Sequence, residues 1–253
     1  MNHFRRAVEF ERAMDERMVE TVTPTSHGRA LLTPSLSRVY YLNHLSVDLG
    51  AGCPGRELIE EAEHVLSAAG LAHRKVTIDD ELGARVEQDF RAAGWNVQQL
   101  LVMPHVRHQT PVDISRVEEV EPEEMEPIWE RGIRSDPEIQ DDEEVKQLVT
   151  AHHRRRIAVE VRYFAARVEE PIVSYCELFS DGRTGQIESV MTLEPFRGRG
   201  LAKAVVSYAL RESQAVHDLT FLVADADEWP KELYRKLGFE ARGSIWDFLL
   251  KPR

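Results

Sequence analysis

Six consecutive residues, Arg197-Gly198-Arg199-Gly200-Leu201-Ala202, are the part of this sequence best suited to chemistry. They follow a β-like run, QIESVMTL, and precede an amphipathic helical run, LAKAVVSYALRESQ. Two glycines let the backbone bend so that consecutive N–H groups converge. The first N–H groups of the following helix point the same way, and the helix dipole adds partial positive charge. With two arginines beside them, these groups make a cradle for a pyrophosphate. No Gly-Lys-Ser/Thr follows, so the stretch is not a Walker loop, and it lacks the spacing of a dinucleotide fingerprint. A turn with solvated arginines is the plainer alternative for such a run taken alone.

The order strand, Arg-Gly-Arg-Gly-Leu-Ala, helix resembles the coenzyme A motif of the GNAT superfamily of N-acetyltransferases, Arg/Gln-x-x-Gly-x-Gly/Ala, at each defined position. Further on, the β-like FLVAD leads to Leu233-Tyr234-Arg235-Lys236-Leu237-Gly238-Phe239, which resembles the family's Tyr-x-x-x-Gly-Phe. Two such matches in the right order are more specific than either alone, and they cover roughly residues 114–253. Two departures are visible. The segment Asp225-Ala226-Asp227-Glu228-Trp229-Pro230 lacks the Asn often found there, leaving Asp227 or the backbone to substitute. Pro195 stands two residues before Arg197, where many members have it three before.

The resemblance implies direct attack of an acceptor amine on acetyl-CoA, which serves as co-substrate, with coenzyme A leaving as a thiol and no metal required. It implies Arg197, Gly198, Arg199, Gly200, Leu201 and Ala202 around the pyrophosphate, and the backbone of Val190, Met191 and Thr192 along the pantetheine arm. In this family a bulge on the motif strand splays the strands there and frees those amides. Tyr234 matches the general acid for the departing sulfur, with a core tyrosine as the bland alternative. Glu188 is the first candidate for relaying the amine's proton. Strand alternation predicts that it shares a face with Val190 and Thr192. A solvated carboxylate, Glu177 on the preceding strand, and a water chain stay open beside it.

The elements that must position these residues fall into two similar series. The first half is predicted to open with a helix, followed by a strand over 37–49, a helix over 56–69, then strand, helix and strand up to the run WNVQQLLVM. The polar stretch 105–115 is the best linker. The second half is expected to run β-α-α-β-β-β-α-β-α-β-β. Both halves thus end in helix-strand-helix-strand. This predicts an α+β protein, an α/β/α-layered fold with a mixed, mostly antiparallel sheet and flanking helices. It would consist of two tandem units: 1–108, a degenerate GNAT-like domain, and 114–253, the acetyltransferase domain. Gly50-Ala51-Gly52-Cys53-Pro54-Gly55 stands where a second coenzyme A loop would be, but Pro54 removes an N–H and no basic residue precedes it, so it is read as a connecting turn. His152-His153-Arg154-Arg155-Arg156 is read as a solvated helix end rather than a basic or metal site. Cys176 is read as an inert core thiol.

Composition narrows the class. With 32 basic and 44 acidic residues among 253, the net charge is -12, which gives no general reason to bind nucleic acid or an anionic bilayer. Two cysteines exclude a disulfide framework, and no apolar run approaches the ~18 residues of a membrane span. The charged N-terminus does not look like a signal peptide, so a cytoplasmic location is expected. The resulting expectation is an N-acetyltransferase acting on a primary amine of a small molecule or peptide, with homodimerisation left open. An acyl-CoA-binding sensor or interaction module without turnover, and a donor such as succinyl-CoA, are the competing readings.

Overall fold

The computed structural model describes residues 2–79, 81–107, 111–139 and 141–252. Helix α1 (His3–Met18) turns Ala7, Val8, Phe10, Met14 and Met18 inward, at spacings that put them on one face. A hairpin of β1 (Thr21–Pro24) and β2 (Gly28–Leu32) follows, where no strand was expected. Of the strand expected over 37–49, only β3 (His44–Val47) forms. The preceding apolar residues are coiled into 3-10 turns instead. Asn43, fully buried, explains this: its side chain donates to the carbonyls of Leu36 (3.0 Å) and Val39 (3.1 Å) and accepts from the Thr33 amide (2.8 Å). These local bonds take the groups a strand would offer to a neighbour. Then come α2 (Gly55–Ala68), β4 (Arg74–Ile78), α3 (Leu82–Ala92) and β5 (Asn96–Pro104).

The second series is β6 (Val117–Val120), α4 (Pro122–Arg134), α5 (Asp142–Ala158), β7 (Glu160–Arg167), β8 (Ile172–Ser180), β9 (Thr184–Thr192), α6 (Leu201–Gln214), β10 (Leu219–Asp225), α7 (Pro230–Lys236) and β11 (Gly243–Leu250). The tail makes one strand rather than the two expected, with Phe239 bridging only to His105. Of the expected linker, residues 108–110 lie outside the described residues. No helix among the described residues is long and apolar enough to cross a membrane.

All the described strands join one 11-stranded sheet in the order β1-β2-β3-β4-β11-β5-β10-β9-β8-β7-β6. The only parallel pairs among them are β3 with β4 and β9 with β10, the same position in each series. At the middle the two series exchange their last strands. Strand β11 lies between β4 and β5, and β5 lies between β11 and β10, all antiparallel. Helices α1, α4 and α5 cover one face, and α2, α3, α6 and α7 the other, which makes the α+β, α/β/α-layered fold that the element order predicts.

The exchanged strand is anchored on both faces. Phe248 is fully buried and stacks on Phe90 of α3, with ring centroids 4.1 Å apart. Its neighbour Trp246 lies so close to α3 that a Cβ at Gly83 would be 2.3 Å from the indole. Ile245, pointing the other way, packs with α1. Because β11 fills the core of the first series while belonging to the second, Phe248→Ala is expected to cost about 3–5 kcal/mol. It should destabilise both series in a single transition, with far-UV dichroism and tryptophan fluorescence superimposing in urea. Two separated transitions would mean that the halves unfold independently.

Candidate active site

The parallel register of β9 and β10 ends at the pair Ile187 and Leu222. Beyond it β9 stays paired to β8, and β10 to β5, so the two strands diverge. The divergence coincides with a bulge. Glu188 sits opposite Glu177 and Met191 opposite Tyr175, so Ser189 and Val190 together face a single residue, Cys176. Ser189 takes φ of 55°, one of two non-glycine residues with positive φ among those described. The bulge also overturns the simple alternation expected for this strand. Glu188 is in step with Met191, not with Val190 and Thr192.

What fixes the bulge is Arg155. Its Nη1 donates to Ser189 Oγ (2.9 Å) and to the Glu177 carboxylate (2.8 Å), and Nη1 also meets His152 Nδ1 at 2.8 Å. The His152 ring stacks on Trp129 of α4 at 4.7 Å. The solvated helix end expected at 152–156 is therefore corrected for these residues. Arg155 and His152 face the sheet, Arg154 donates to the Met18 carbonyl, and His153 meets Glu126. A buried carboxylate needs a cation, and Arg155 supplies it. Burial alone would raise Glu177, but the Arg155 guanidinium and His152 outweigh it and hold the carboxyl below its usual range. Glu177 is thus a structural anion and a poor base.

After β9 a short turn carries the chain to α6. Gly198 and Gly200 both take positive φ, 74° and 80°, which favours glycine. Gly200 is the residue before α6 and offers no side-chain cap, while the first intrahelical bond recorded there is Ala204 N–H to the Gly200 carbonyl. The amides of Leu201, Ala202 and Lys203 are left pointing outward from the helix start. Arg197 donates to the Thr192 carbonyl, and Arg199 donates to the Pro195 carbonyl and lies over the Phe196 ring.

These pieces border one cleft of about 770 Å³. Val190, Met191, Thr192, Arg197, Gly198, Gly200, Leu201, Ala202 and Tyr234 all line it. Arg199 and Glu188 do not. Motif reading missed Phe196, Lys203 and Trp229, which also line it. Trp229 is 69% exposed, and an aromatic side chain left in solvent just before a Pro-initiated helix was the available signal. Asp227 is not in the lining, and Asp225 instead holds that loop by accepting from the Asp227 amide. Tyr234 is largely buried on α7. Burial and then the charge of Glu188 push its phenol well above the usual range, so it keeps its proton at neutral pH. Cys176 is fully buried and its thiol is raised by burial. Among the described residues, no group of three or more His, Cys, Asp or Glu is arranged to hold a metal ion.

The equivalent place in the first series is closed. Pro54 precedes α2, and the Gly55 amide donates to the Asp89 carboxylate of α3 (3.0 Å). A Cβ on Gly55 would stand 2.7 Å from that carboxylate. The chain's own anion fills the anion site.

The fold is that of an acyltransferase. Residues 130–247 match the family model described as "Acetyltransferase (GNAT) domain". Solved structures of similar fold extend over both series. A functionally unknown conserved protein from Staphylococcus epidermidis ATCC 12228 is 15% identical, with a TM-score of 0.70 over 91% of this chain and 93% of that one. A GCN5-related N-acetyltransferase from Kribbella flavida is 17% identical, with a TM-score of 0.60 over 97% and 94%. A tandem GNAT protein from the clavulanic acid biosynthesis pathway is 16% identical, with a TM-score of 0.52 over 81% and 73%. No curated protein matches the sequence.

Glu188 lies outside the cleft, in a group of carboxyls on the α1 face. Gln186 Nε2 donates both to Glu188 (3.0 Å) and to Glu11 (2.9 Å), and Asp15 follows one turn along α1. Burial raises Glu188 and Glu11, and burial together with Asp79 pushes Asp15 from 3.8 to about 8. A raised acid binds its proton more tightly folded than unfolded, so its ionisation destabilises the fold. The Asp15 contribution is therefore favourable at low pH and is lost as pH rises from about 4 to about 8. Asp15→Asn should remove that slope, melting higher than wild type at pH 8 and close to it at pH 4. An unchanged melting profile across this range would contradict the assignment.

Proposed function

We propose that the protein is an N-acetyltransferase that moves the acetyl group of acetyl-CoA to a primary amine of a small molecule or peptide. The observation that carries this reading is the single cleft bordered by the diverging β9 edge, the two-glycine turn and the Tyr234 phenol. The fit to coenzyme A rests on chemistry already present. Outward-pointing amides at the start of α6, two left-handed glycines and Lys203 suit a pyrophosphate, and the backbone at 190–192, which has no strand partner in β10, suits an amide-bearing arm. Acetyl-CoA supplies the activated thioester carbonyl.

The chain's own residues then divide the work. The amine must lose a proton to attack, and Glu188, raised by burial, is suited to take it through solvent. The new bond joins nitrogen to the carbonyl carbon, the carbon–sulfur bond breaks, and the phenolic proton of Tyr234 goes to the departing sulfur. Residues 114–253 form the catalytic unit in this reading. Residues 1–108 form a degenerate unit of the same kind, its anion site taken by Asp89.

Coenzyme A is expected to bind with one molecule per chain. Gly200→Asp forces a side chain into a φ of 80° and adds a carboxylate to the anion site, so binding should be abolished in calorimetry. Two molecules per chain, or unchanged affinity in the variant, would refute the assignment. Tyr234→Phe should lower kcat by ~10²–10⁴ with little effect on coenzyme A affinity, because the phenol acts only as sulfur leaves. Full turnover in that variant would remove Tyr234 from the mechanism.

A further inference from the structure

On the α1 face of the sheet, beside the exchanged strands, lies a polar cavity of about 130 Å³. Glu11, Asp15 and Asp79 line it, together with His44 of β3, Lys75 of β4 and Asp247 of β11. Its two cations are already engaged: Arg12 pairs with Asp79, and Lys75 pairs with Asp247. Glu11 and Asp15 make no ion pair among the described residues. Two buried atoms of its lining lack hydrogen-bond partners, Glu11 Oε2 and the Nδ1 of His44, which is 3% exposed, and so does the Oε1 of Gln186, whose amide donates to Glu11. Burial pushes the His44 pKa down to about 4, so its ring is neutral at physiological pH. The cavity therefore offers two carboxyl groups without ion pairs, able to ionise beside a cation, and unmet acceptors, in a set that is not arranged for a metal ion. An ammonium group is a monovalent cation with three donors.

The cavity also stands behind the cleft. Val223 of β10 lines the cavity, while its neighbours Leu222 and Ala224 pack with Tyr234 on the opposite face. Gln186 links Glu11 to Glu188, whose charge reaches the Tyr234 phenol. The gap between β9 and β10 thus separates the two spaces. We propose that this cavity anchors the acceptor by a second ammonium group, making the preferred substrate a diamine. The proposal rests on the acetyltransferase reading. One nitrogen is held as a cation by Glu11 and Asp15, and the other, unprotonated, is presented to the thioester through the gap.

The test uses the full chain with coenzyme A bound, titrated calorimetrically with putrescine or cadaverine, and with butylamine as the single-nitrogen control. The better diamine should bind at least tenfold tighter than butylamine. The double variant Glu11→Gln/Asp15→Asn should erase that preference while keeping coenzyme A affinity. Wild type alone gives a second measure: putrescine binding at pH 7 should release more protons than butylamine binding, because Glu11 and Asp15 ionise beside the second ammonium while both amines give up the proton of the attacking nitrogen, read from enthalpies in two buffers. Equal affinity for mono- and diamines, a preference that survives the double variant, or no more proton release with putrescine than with butylamine would overturn the proposal. A diamine preference without acetyl transfer to any amine would keep the cavity's assignment and refute the transferase reading. Transfer to butylamine as readily as to either diamine would do the reverse.

Discussion

Neither half of this chain closes its sheet with its own last strand, and the active cleft depends on that exchange. A cleft between β9 and β10 requires β10 to give up pairing on one edge. An unpaired strand at the centre of a sheet is costly unless its other edge is satisfied. Here residues 223–225, which have left β9, pair with Leu100, Leu101 and Val102 of β5. The first half thus supports the very segment of the second that must stand apart. Arg155 does the corresponding service on the other bank, tying α5 to Glu177 and to the bulged Ser189.

The two halves share a topology and differ in what has been done with one loop. In the second, glycines at positive φ and an uncapped helix start leave donors without acceptors. In the first, a proline and an aspartate consume them. The difference is electrostatic more than architectural. A carboxylate fixed at a helix N-terminus occupies the favourable end of the dipole and repels any phosphate that approaches. The loop's literal GxGxxG spelling says nothing of this, because Asp89 comes from another helix.

Local features were legible in the sequence and distant partners were not. The turn at 197–200, the helix α6 and the tyrosine of α7 carry their signals in adjacent residues, so their elements and the cleft they share follow from spacing. The strand exchange is a choice among antiparallel partners that β5 and β11 could each satisfy equally by pattern, and only the packing of Phe248 and Trp246 against α3 decides it. The run 37–43 has the apolar and aromatic residues of a strand, yet a single buried Asn43 redirects its backbone into turns. Arg155 hid inside a charge run, where residue type does not separate it from Arg156, which is exposed. The face of Glu188 was misjudged because one extra residue in a strand reverses everything beyond it.

The exchange of β5 and β11 has a consequence for biogenesis. The ribosome delivers β4 and β5 long before residues 243–250, which must come between them. Until residues 243–250 have emerged, the nascent first half holds two open strand edges and the apolar groups Phe90 and Val76 waiting for Phe248 and Trp246. Such a chain cannot finish folding one half at a time. Its vulnerable interval runs from the emergence of β5 to that of β11, which makes it a natural client for a chaperone that shields strand edges.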